Sequence, residues 1–475
     1  METKREQGVI TLTELKEMVE KGDIETVIVA FCDMQGRLVG KRLTGRYFLE
    51  HASEGGAHFC VYLLATDMAM NTPSGFPSLG WEQGYGDWVA KPDLRTLRIL
   101  PWHEKTALVL SDAVDHQGEL VEVAPRSVLR RQLARAQSLG FTLNMASELE
   151  FYLLRETYET AYAKNYADLS LAGHYNEDYH LLQGARNEPL YRQFRAHLNG
   201  AGVPIEGTKG EAGVGQHEIN VYHADALEAA DRHVLLKQGV KEISMQNGYA
   251  VTFMAKPDHT WTGSSSHFHV SLWDTDNQRN VFDDPAGRQY GMSEAMDHFV
   301  AGLVLHAREL SLFFAPYVNS YKRYAKASWA PTHVAWGADN RTCSLRVVGK
   351  GVSKRVENRL PGADVNPYLA AAAMIAAGLD GIERQLPLPQ EWRGNAYAAD
   401  DIDRLSQSPA RAPQPLDSLP QSLHEAIRAF EQSEWACEAF GGTVHAHYLN
   451  AARVEQRTYD QVVTDWEKSR YFEQA

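Results

Sequence analysis

The sequence predicts an α+β fold in two parts, and three observations carry the prediction. A capped helix followed by a short hairpin opens the chain. Between residues 142 and 360, several runs alternate strictly between polar and apolar residues, the period of strands that bury one face. Behind them comes an alanine-rich apolar run, Tyr368 to Leu379, too short to span a bilayer and readable as a buried helix.

The elements follow in order. Thr11 and Glu14 form a capping box for a helix from Thr11 to Glu20 that Gly22 stops. Thr26 to Cys32 and Arg37 to Leu43 flank a turn at Gln35-Gly36 and read as a hairpin. Asp112 to Val123 reads as a linker. Pro125 then opens a helix through Leu139, and Gly140 ends it. In Thr142 to Leu154, Leu143, Met145, Leu149, Phe151 and Leu153 share one face, whereas Ala146, Glu148 and Glu150 share the other. A glycine-rich bend joins Glu211 to Glu218 and leads into the alternating run Ile219 to Tyr222. In Gly263 to Leu272, His267, His269 and Ser271 oppose Phe268, Val270 and Leu272. Arg355, Glu357 and Arg359 recur at every second position, with Val356 and Leu360 facing away. Gln385 to Pro420 is rich in proline and short polar residues and reads as a long surface loop. Helices over Leu423 to Phe440 and Thr464 to Phe472 finish the chain. His445-Ala-His447 has no carboxylates near it in sequence and reads as structural.

Bulk properties narrow the function. A length of 475 residues supplies ample core for one large domain or two. A net charge of −14 argues against nucleic acid or an anionic membrane as a partner. Four cysteines, at 32, 60, 343 and 437, show no paired spacing, and Met1 to Gly8 is polar and charged, so reduced thiols in the cytoplasm are expected.

The polar faces carry chemistry. Two carboxylates side by side, Glu148 and Glu150, repel each other on a half-buried strand unless a cation offsets them. Glu148, Glu150, Glu211, Glu218 and Glu357 with one or two imidazoles, and no cysteine nearby, suit Mg²⁺ or Mn²⁺ better than structural zinc. The arginines Arg323, Arg341, Arg346, Arg355 and Arg359 point to an anionic partner carrying phosphate or carboxylate groups. Neither a G-x-x-x-x-G-K-[ST] loop nor a G-x-G-x-x-G turn is present, so nucleotide phosphates would be held by metals and side chains.

Taken together, these segments resemble the glutamine synthetase family, in particular the glutamine synthetase-like γ-glutamylamide ligases that join glutamate to amines other than ammonia. The landmarks run from Phe31-x-Asp33-x-x-Gly36 through the Ser147-to-Phe151 strand, Gly215-Gln-His-Glu218, His267-x-His269 and Asn319-Ser-Tyr-Lys-Arg323. They continue through Asn340-Arg341 and Arg355-x-Glu-x-Arg359 to Asn366-Pro-Tyr-Leu369, nearly the whole chain. The resemblance implies an N-terminal β-grasp domain over residues 1–115. It implies a catalytic domain over 120–475, a curved antiparallel sheet or half-barrel flanked by helices. It also implies two or three Mg²⁺ or Mn²⁺ ions per site, ATP as co-substrate, and a homo-oligomer of six-membered rings, stacked in pairs in some relatives. By the same resemblance Glu150, Glu211 and Glu218 hold the metal beside glutamate, and Glu148, His267 and Glu357 hold the one between the nucleotide phosphates. Arg323 and Arg359 clamp glutamate, with Gly263, Glu150 and Glu211 on the same substrate side. Arg341 meets the transferring phosphoryl group, and with Glu357 and Arg323 makes up the catalytic set. Glu206, His269, Ser271, Arg346 and Arg355 contact ATP.

The departures from that pattern bear on the acceptor. Trp329 stands where true glutamine synthetases place a flap glutamate that binds and deprotonates ammonium, and an indole cannot accept a proton. Thr262 replaces an asparagine that contacts glutamate. Asp67 and Asp87 both compete for the role of the aspartate that a neighbouring subunit donates, and Glu54, Asp67 or Glu82 could supply an acidic group for a polyamine or ethanolamine. The expected acceptor is therefore an organic amine: an alkyl or aryl monoamine, ethanolamine or a polyamine. A true glutamine synthetase using ammonium is the alternative, ahead of a silent relative or a metal-dependent hydrolase built on His267 and His269. Tyr397 lies where one branch of the family carries a regulatory tyrosine, but its surroundings do not match, so modification is not expected.

Overall fold

The computed structural model describes residues 6–77, 79–80, 84–276, 278–286, 289–399 and 416–475. A first sheet has six strands: β1 (Thr26–Cys32), β2 (Leu38–Thr44), β3 (Ala57–Cys60), β4 (Asp87–Pro92), β5 (Arg98–Ile99) and β6 (Thr106–Val114). Their order is β2-β1-β6-β4-β3, with β5 also on β6; β1 and β6 run parallel, and the other pairs run antiparallel. The preceding helix, Leu12–Lys21, has the expected capping box at Thr11 and Glu14 and ends at Gly22 in the left-handed conformation.

The second sheet has nine strands: β7 (Phe141–Leu154), β8 (Ile205–Gly210), β9 (Gln216–Val221), β10 (Ala224–Asp225), β11 (Ala250–Thr252), β12 (Ser266–Asp274), β13 (Trp336–Ala338), β14 (Leu345–Val348) and β15 (Arg355–Asn358). The order is β13-β14-β15-β12-β7-β9-β8, with β10 and β11 on β7; all pairs are antiparallel except β13 with β14. Alternation decides which face is buried. Leu143, Met145, Leu149, Phe151 and Leu153 are at most 2 % exposed on β7. Helix Pro367–Glu383, capped by Asn366, is buried along nearly its whole length and packs on helices Glu294–His306 and Pro125–Ser138. Two glycines permit the first of these contacts. A Cβ on Gly302 would lie 2.0 Å from the Ala377 carbonyl oxygen, and one on Gly381 would lie 2.0 Å from that of His298.

Polar ties join loops of the first sheet to the helices that accompany the second. Buried Arg126 donates to Asp231 at 2.8 Å and to Asp93 at 2.9 Å, and Tyr368 Oη donates to Asp231 at 2.6 Å. Asn366 Nδ2 reaches the carbonyl oxygens of Asp33 and Met34 at 2.9 and 3.1 Å.

Several boundaries differ from expectation. The linker begins later, because Asp112 to Val114 complete β6 against β4. The helix expected over Leu423 to Phe440 is two, Leu423–Glu431 and Glu434–Phe440, since Ser433 Oγ caps the second by accepting from the Ala436 N–H. A further helix, Gly442–Asp460, carries His445 and His447. Both are structural, His445 bonding the Phe430 carbonyl at 2.8 Å and His447 held by burial down to about 4. The loop from Gln385 is not wholly superficial: Trp392, Ala396 and Ala399 pack with Ala335 and Cys343, and residues 400–415 lie outside the described ones.

Candidate active site

The register of the large sheet assembles the site. His267 stands opposite Glu148, Glu150 opposite Glu218, His269 opposite Glu357, and Arg346 opposite Glu357. Directly opposed residues bring their Cβ atoms to about 4.5–5.5 Å, and a one-residue slip would send each to the other face. Three groups of potential ligands result: Glu150, Glu211 and Glu218; Glu148, Glu218 and His267; and Glu148, His269 and Glu357, each with its ligand atoms within 4.8 Å of one another.

The two ends of this array differ electrostatically. At the histidine end, His267 Nδ1 lies 3.3 Å from Glu148 and 3.7 Å from Glu357, and His269 Nε2 lies 2.9 Å from Glu148. Burial opposes ionisation of Glu148, but hydrogen bonds from His267 and His269 hold its carboxyl well below the usual range. Against burial, the charges of His267 and Arg359 hold Glu357 down to about 2. Arg346 donates to it at 2.7 Å and Arg359 donates to its other oxygen. His267 Nε2 is buried and has no hydrogen-bond partner among the described residues.

At the carboxylate end no such balance exists. Burial, then Glu211 and Glu218, push Glu150 well up, although the Ser265 N–H donates to it at 2.7 Å. Burial, Glu148 and Glu211 push Glu218 up to about 8. Lys209 bonds Glu211, but one ammonium cannot neutralise three carboxylates. Oxygen donors with excess negative charge and an unspent imidazole nearby fit a hard divalent cation such as Mg²⁺ or Mn²⁺.

A pH-dependent stability follows. Between the ordinary value of 4.5 and about 8, folded Glu218 keeps a proton that the unfolded chain releases, so its contribution to stability falls as pH rises. Metal-free protein is expected to melt lower at pH 8 than at pH 6. Mg²⁺ or Mn²⁺ should raise Tm more at pH 8, where less proton must be displaced. Thermal unfolding at both pH values checks this; equal metal-induced increments would contradict it.

Around these clusters the other expected residues divide. Glu206, His269, Ser271 and Arg355 line one cavity of about 390 Å³ together with Glu148. Glu206 reaches it from an irregularity in the β8–β9 ladder, where Ile205 pairs with Val221 and Gly207 with Asn220. Arg355 Nε donates to His269 Nδ1 at 3.1 Å. Arg346 instead lines the neighbouring open cleft, where it pairs with Asp339 as well as Glu357. Arg341 is exposed and lies with Glu391 and Arg393 on a groove beside that cleft.

The clamp differs from expectation in accessibility. Arg323 is 1 % exposed and spends donors on Ser265 Oγ, at 3.1 Å, and on the Leu360 carbonyl. Arg359 is 3 % exposed and reaches the Trp329 carbonyl at 3.4 Å. Gly263 makes room for Arg323, because a Cβ there would lie 2.5 Å from its Cγ. Trp329 is 56 % exposed and has φ 64°. Asp67 spends its carboxylate on the N–H groups of Ala69 and Asn71, at 2.9 and 2.8 Å. Glu54 and Asp87 are exposed, and Glu82 lies outside the described residues. None of these joins the ligand groups.

Gln216 emerges as an organiser whose role sequence reasoning missed. Its Nε2 donates to Glu150, the Gly263 carbonyl and Ser264 Oγ at 3.0–3.2 Å, and its Oε1 accepts from the Gly213 N–H. Lys209 and Asp339 were missed too. The signal for Gln216 was its place inside the bend between two ligands; Lys209 and Asp339 gave none.

The sequence profile of the family described as "Glutamine synthetase, catalytic domain" matches residues 122–471. The chain belongs to the glutamine synthetase family. Among its relatives, gamma-glutamylethanolamide synthetase GlnA4 of Streptomyces coelicolor is 48 % identical over 460 residues, 97 % of this chain and 95 % of that protein. Glutamate–isopropylamine ligase of a Pseudomonas species is 37 % identical, covering 97 % and 98 %. Among solved structures, a complex of GmaS with ADP superposes with a TM-score of 0.82 at 29 % identity, covering 97 % of this chain and all of that one. All three are similar to this chain over essentially its full length. No helix among the described residues is long and apolar enough to cross a membrane.

Proposed function

We propose that this chain is an ATP-dependent ligase that joins the γ-carboxylate of glutamate to a small organic amine through γ-glutamyl phosphate. The observation that carries the choice of acceptor is Trp329: an exposed indole whose backbone carbonyl bonds Arg359, at the position where a glutamine synthetase keeps a carboxylate. The relatives named for an ethanolamide and for isopropylamine support the same reading.

The chemistry needs an activated carboxylate. A γ-carboxylate oxygen attacks the γ-phosphorus of ATP and ADP leaves. The lone pair of a neutral amine then attacks the acyl carbon, the nitrogen loses a proton, and the C–O bond to phosphate breaks. Glu150, Glu211 and Glu218 would hold one Mg²⁺ or Mn²⁺, and Glu148, His267 and Glu357 a second. These ions, when bound, neutralise charge on the phosphates and the reacting carboxylate. Arg341, on its exposed turn, meets the transferring phosphoryl group from the open side. Glu206, His269, Ser271, Arg346 and Arg355 hold the nucleotide, and Arg323 and Arg359 anchor glutamate beside Gly263. Trp329 offers the acceptor an apolar surface and no base, which favours an amine that arrives uncharged.

The remaining expectations belong to the same proposal: a β-grasp N-terminal domain over residues 1–115, a catalytic domain over 120–475, ring-shaped hexamers or stacked dodecamers, and a cytoplasmic location. The test is phosphate release from ATP with glutamate, Mg²⁺ or Mn²⁺, and ammonium, ethanolamine, isopropylamine, putrescine, spermine or aniline, with product mass measured. Turnover with one organic amine well above ammonium is the expected result. Turnover with ammonium alone would make the protein a divergent glutamine synthetase.

A further inference from the structure

One wall of the cavity that holds Glu206, His269 and Ser271 is a turn over residues 349–354, from which Val352, Ser353 and Lys354 line the space next to Arg355. The turn is loose by composition. Gly349 and Gly351 sit at φ 79° and 58°, and Gly351, Val352 and Ser353 are exposed, so packing does little to hold it.

Asn280 supplies what packing does not. It is 4 % exposed, and its backbone is bridged to Trp273 near the end of β12. The Val281 N–H donates to the Leu272 carbonyl at 2.7 Å and the Asp274 N–H to the Arg279 carbonyl at 3.2 Å, which ties the segment to that strand. From there Asn280 Nδ2 donates to the Lys354 carbonyl at 2.7 Å and the Val352 carbonyl at 3.2 Å, with the Gly351 carbonyl at 3.4 Å. An amide NH₂ has two hydrogens, so the side chain spends its whole donor capacity on the turn. Its Oδ1 accepts from the Phe282 N–H at 3.0 Å, which fixes the direction of the amide. The residues that follow add two ties. Asp283 Oδ1 accepts from the Gly351 N–H at 2.7 Å, and the Tyr290 carbonyl accepts from Lys354 Nζ. Strand β12 thus carries His269 and Ser271 on one side of the cavity and, through Asn280, holds the turn on the other.

We propose that Asn280 is a positioning residue for the nucleotide, acting through the 349–354 turn so that the cavity wall is formed before the nucleotide arrives. This rests on the reading of that cavity as the ATP site. A preformed wall spares the ligand the entropy of ordering it. Asn280→Asp keeps the size and the Oδ1 acceptor and removes the donors. ADP binding, measured by calorimetry on the full-length protein with Mg²⁺ and well below the melting range, is expected to weaken about 10-fold, the worth of one or two neutral hydrogen bonds. Mn²⁺ binding without nucleotide should be unchanged. Trypsin should cut the nucleotide-free variant faster after Lys350, and ADP should restore protection. Asp283→Ala frees the exposed side of the same turn and should move ADP affinity and cleavage in the same direction, which keeps the proposal testable if Asn280→Asp does not fold. Unchanged ADP affinity in the folded variants would overturn the proposal. Equal losses for ADP and Mn²⁺ would overturn it too, since they mark a general effect on the fold. Wild-type protein that binds Mn²⁺ but no ADP would overturn the nucleotide reading along with the proposal, a failure distinct from variants that match the wild type.

Discussion

Glu357→Gln is expected to lower ATP-dependent amide synthesis by roughly 10²–10³-fold, the usual consequence of removing one electrostatic partner from a charge-developing site. The carboxylate is 1 % exposed, accepts from Arg346 and Arg359 on its two oxygens, and faces His267 at 3.7 Å. Glutamine preserves the shape but offers one acceptor instead of two, and its NH₂ group points a donor at a cation. The proposed metal ligand is lost at the same time. Removing one partner of a buried ion pair also destabilises by about 3–5 kcal/mol. Tm should therefore fall, and activity must be compared below the melting range. The assay is phosphate release with product mass, at saturating glutamate and ATP. A folded variant that turns over at the wild-type rate would remove Glu357 from the catalytic set.

What the sequence revealed was mostly the faces of strands. Glu148 with Glu150, His267 with His269, and Arg355 with Glu357 were readable as same-face sets because side chains alternate with period two. What sets His267 opposite Glu148 and His269 opposite Glu357 is cross-strand register, which depends on ladders between segments far apart in the chain. Local capping was legible at Thr11 and overlooked at Ser433, where apolar spacing ran on through the break between two helices. The burial of Arg323 was not legible at all: it depends on Gly263 lacking a side chain and on the Leu360 carbonyl arriving from another segment.

Trp329→Glu is expected to raise the ratio of ammonium to organic-amine kcat/KM by roughly 10²-fold, the lower end of what a positioned acid–base group contributes. The site can take the change. The indole is 56 % exposed, so little packing is lost, and the backbone at φ 64° is equally unfavourable for either residue. That conformation costs a bulky side chain on the order of 1–3 kcal/mol and persists only where surroundings impose it. Here Arg359 binds the Trp329 carbonyl, while Ser328 Oγ bonds the Arg323 and Ala325 carbonyls at 3.1 and 2.6 Å. The backbone therefore stays put, and the substitution changes only the chemistry of the group presented to the acceptor. A carboxylate there would attract ammonium and accept its proton, two things an indole cannot do. It would also remove apolar surface from an alkyl acceptor, so the two arms of the ratio should move in opposite directions. Parallel changes in both kcat/KM values would mean that Trp329 shapes the loop without choosing the amine, and the acceptor preference would then have to reside in other residues.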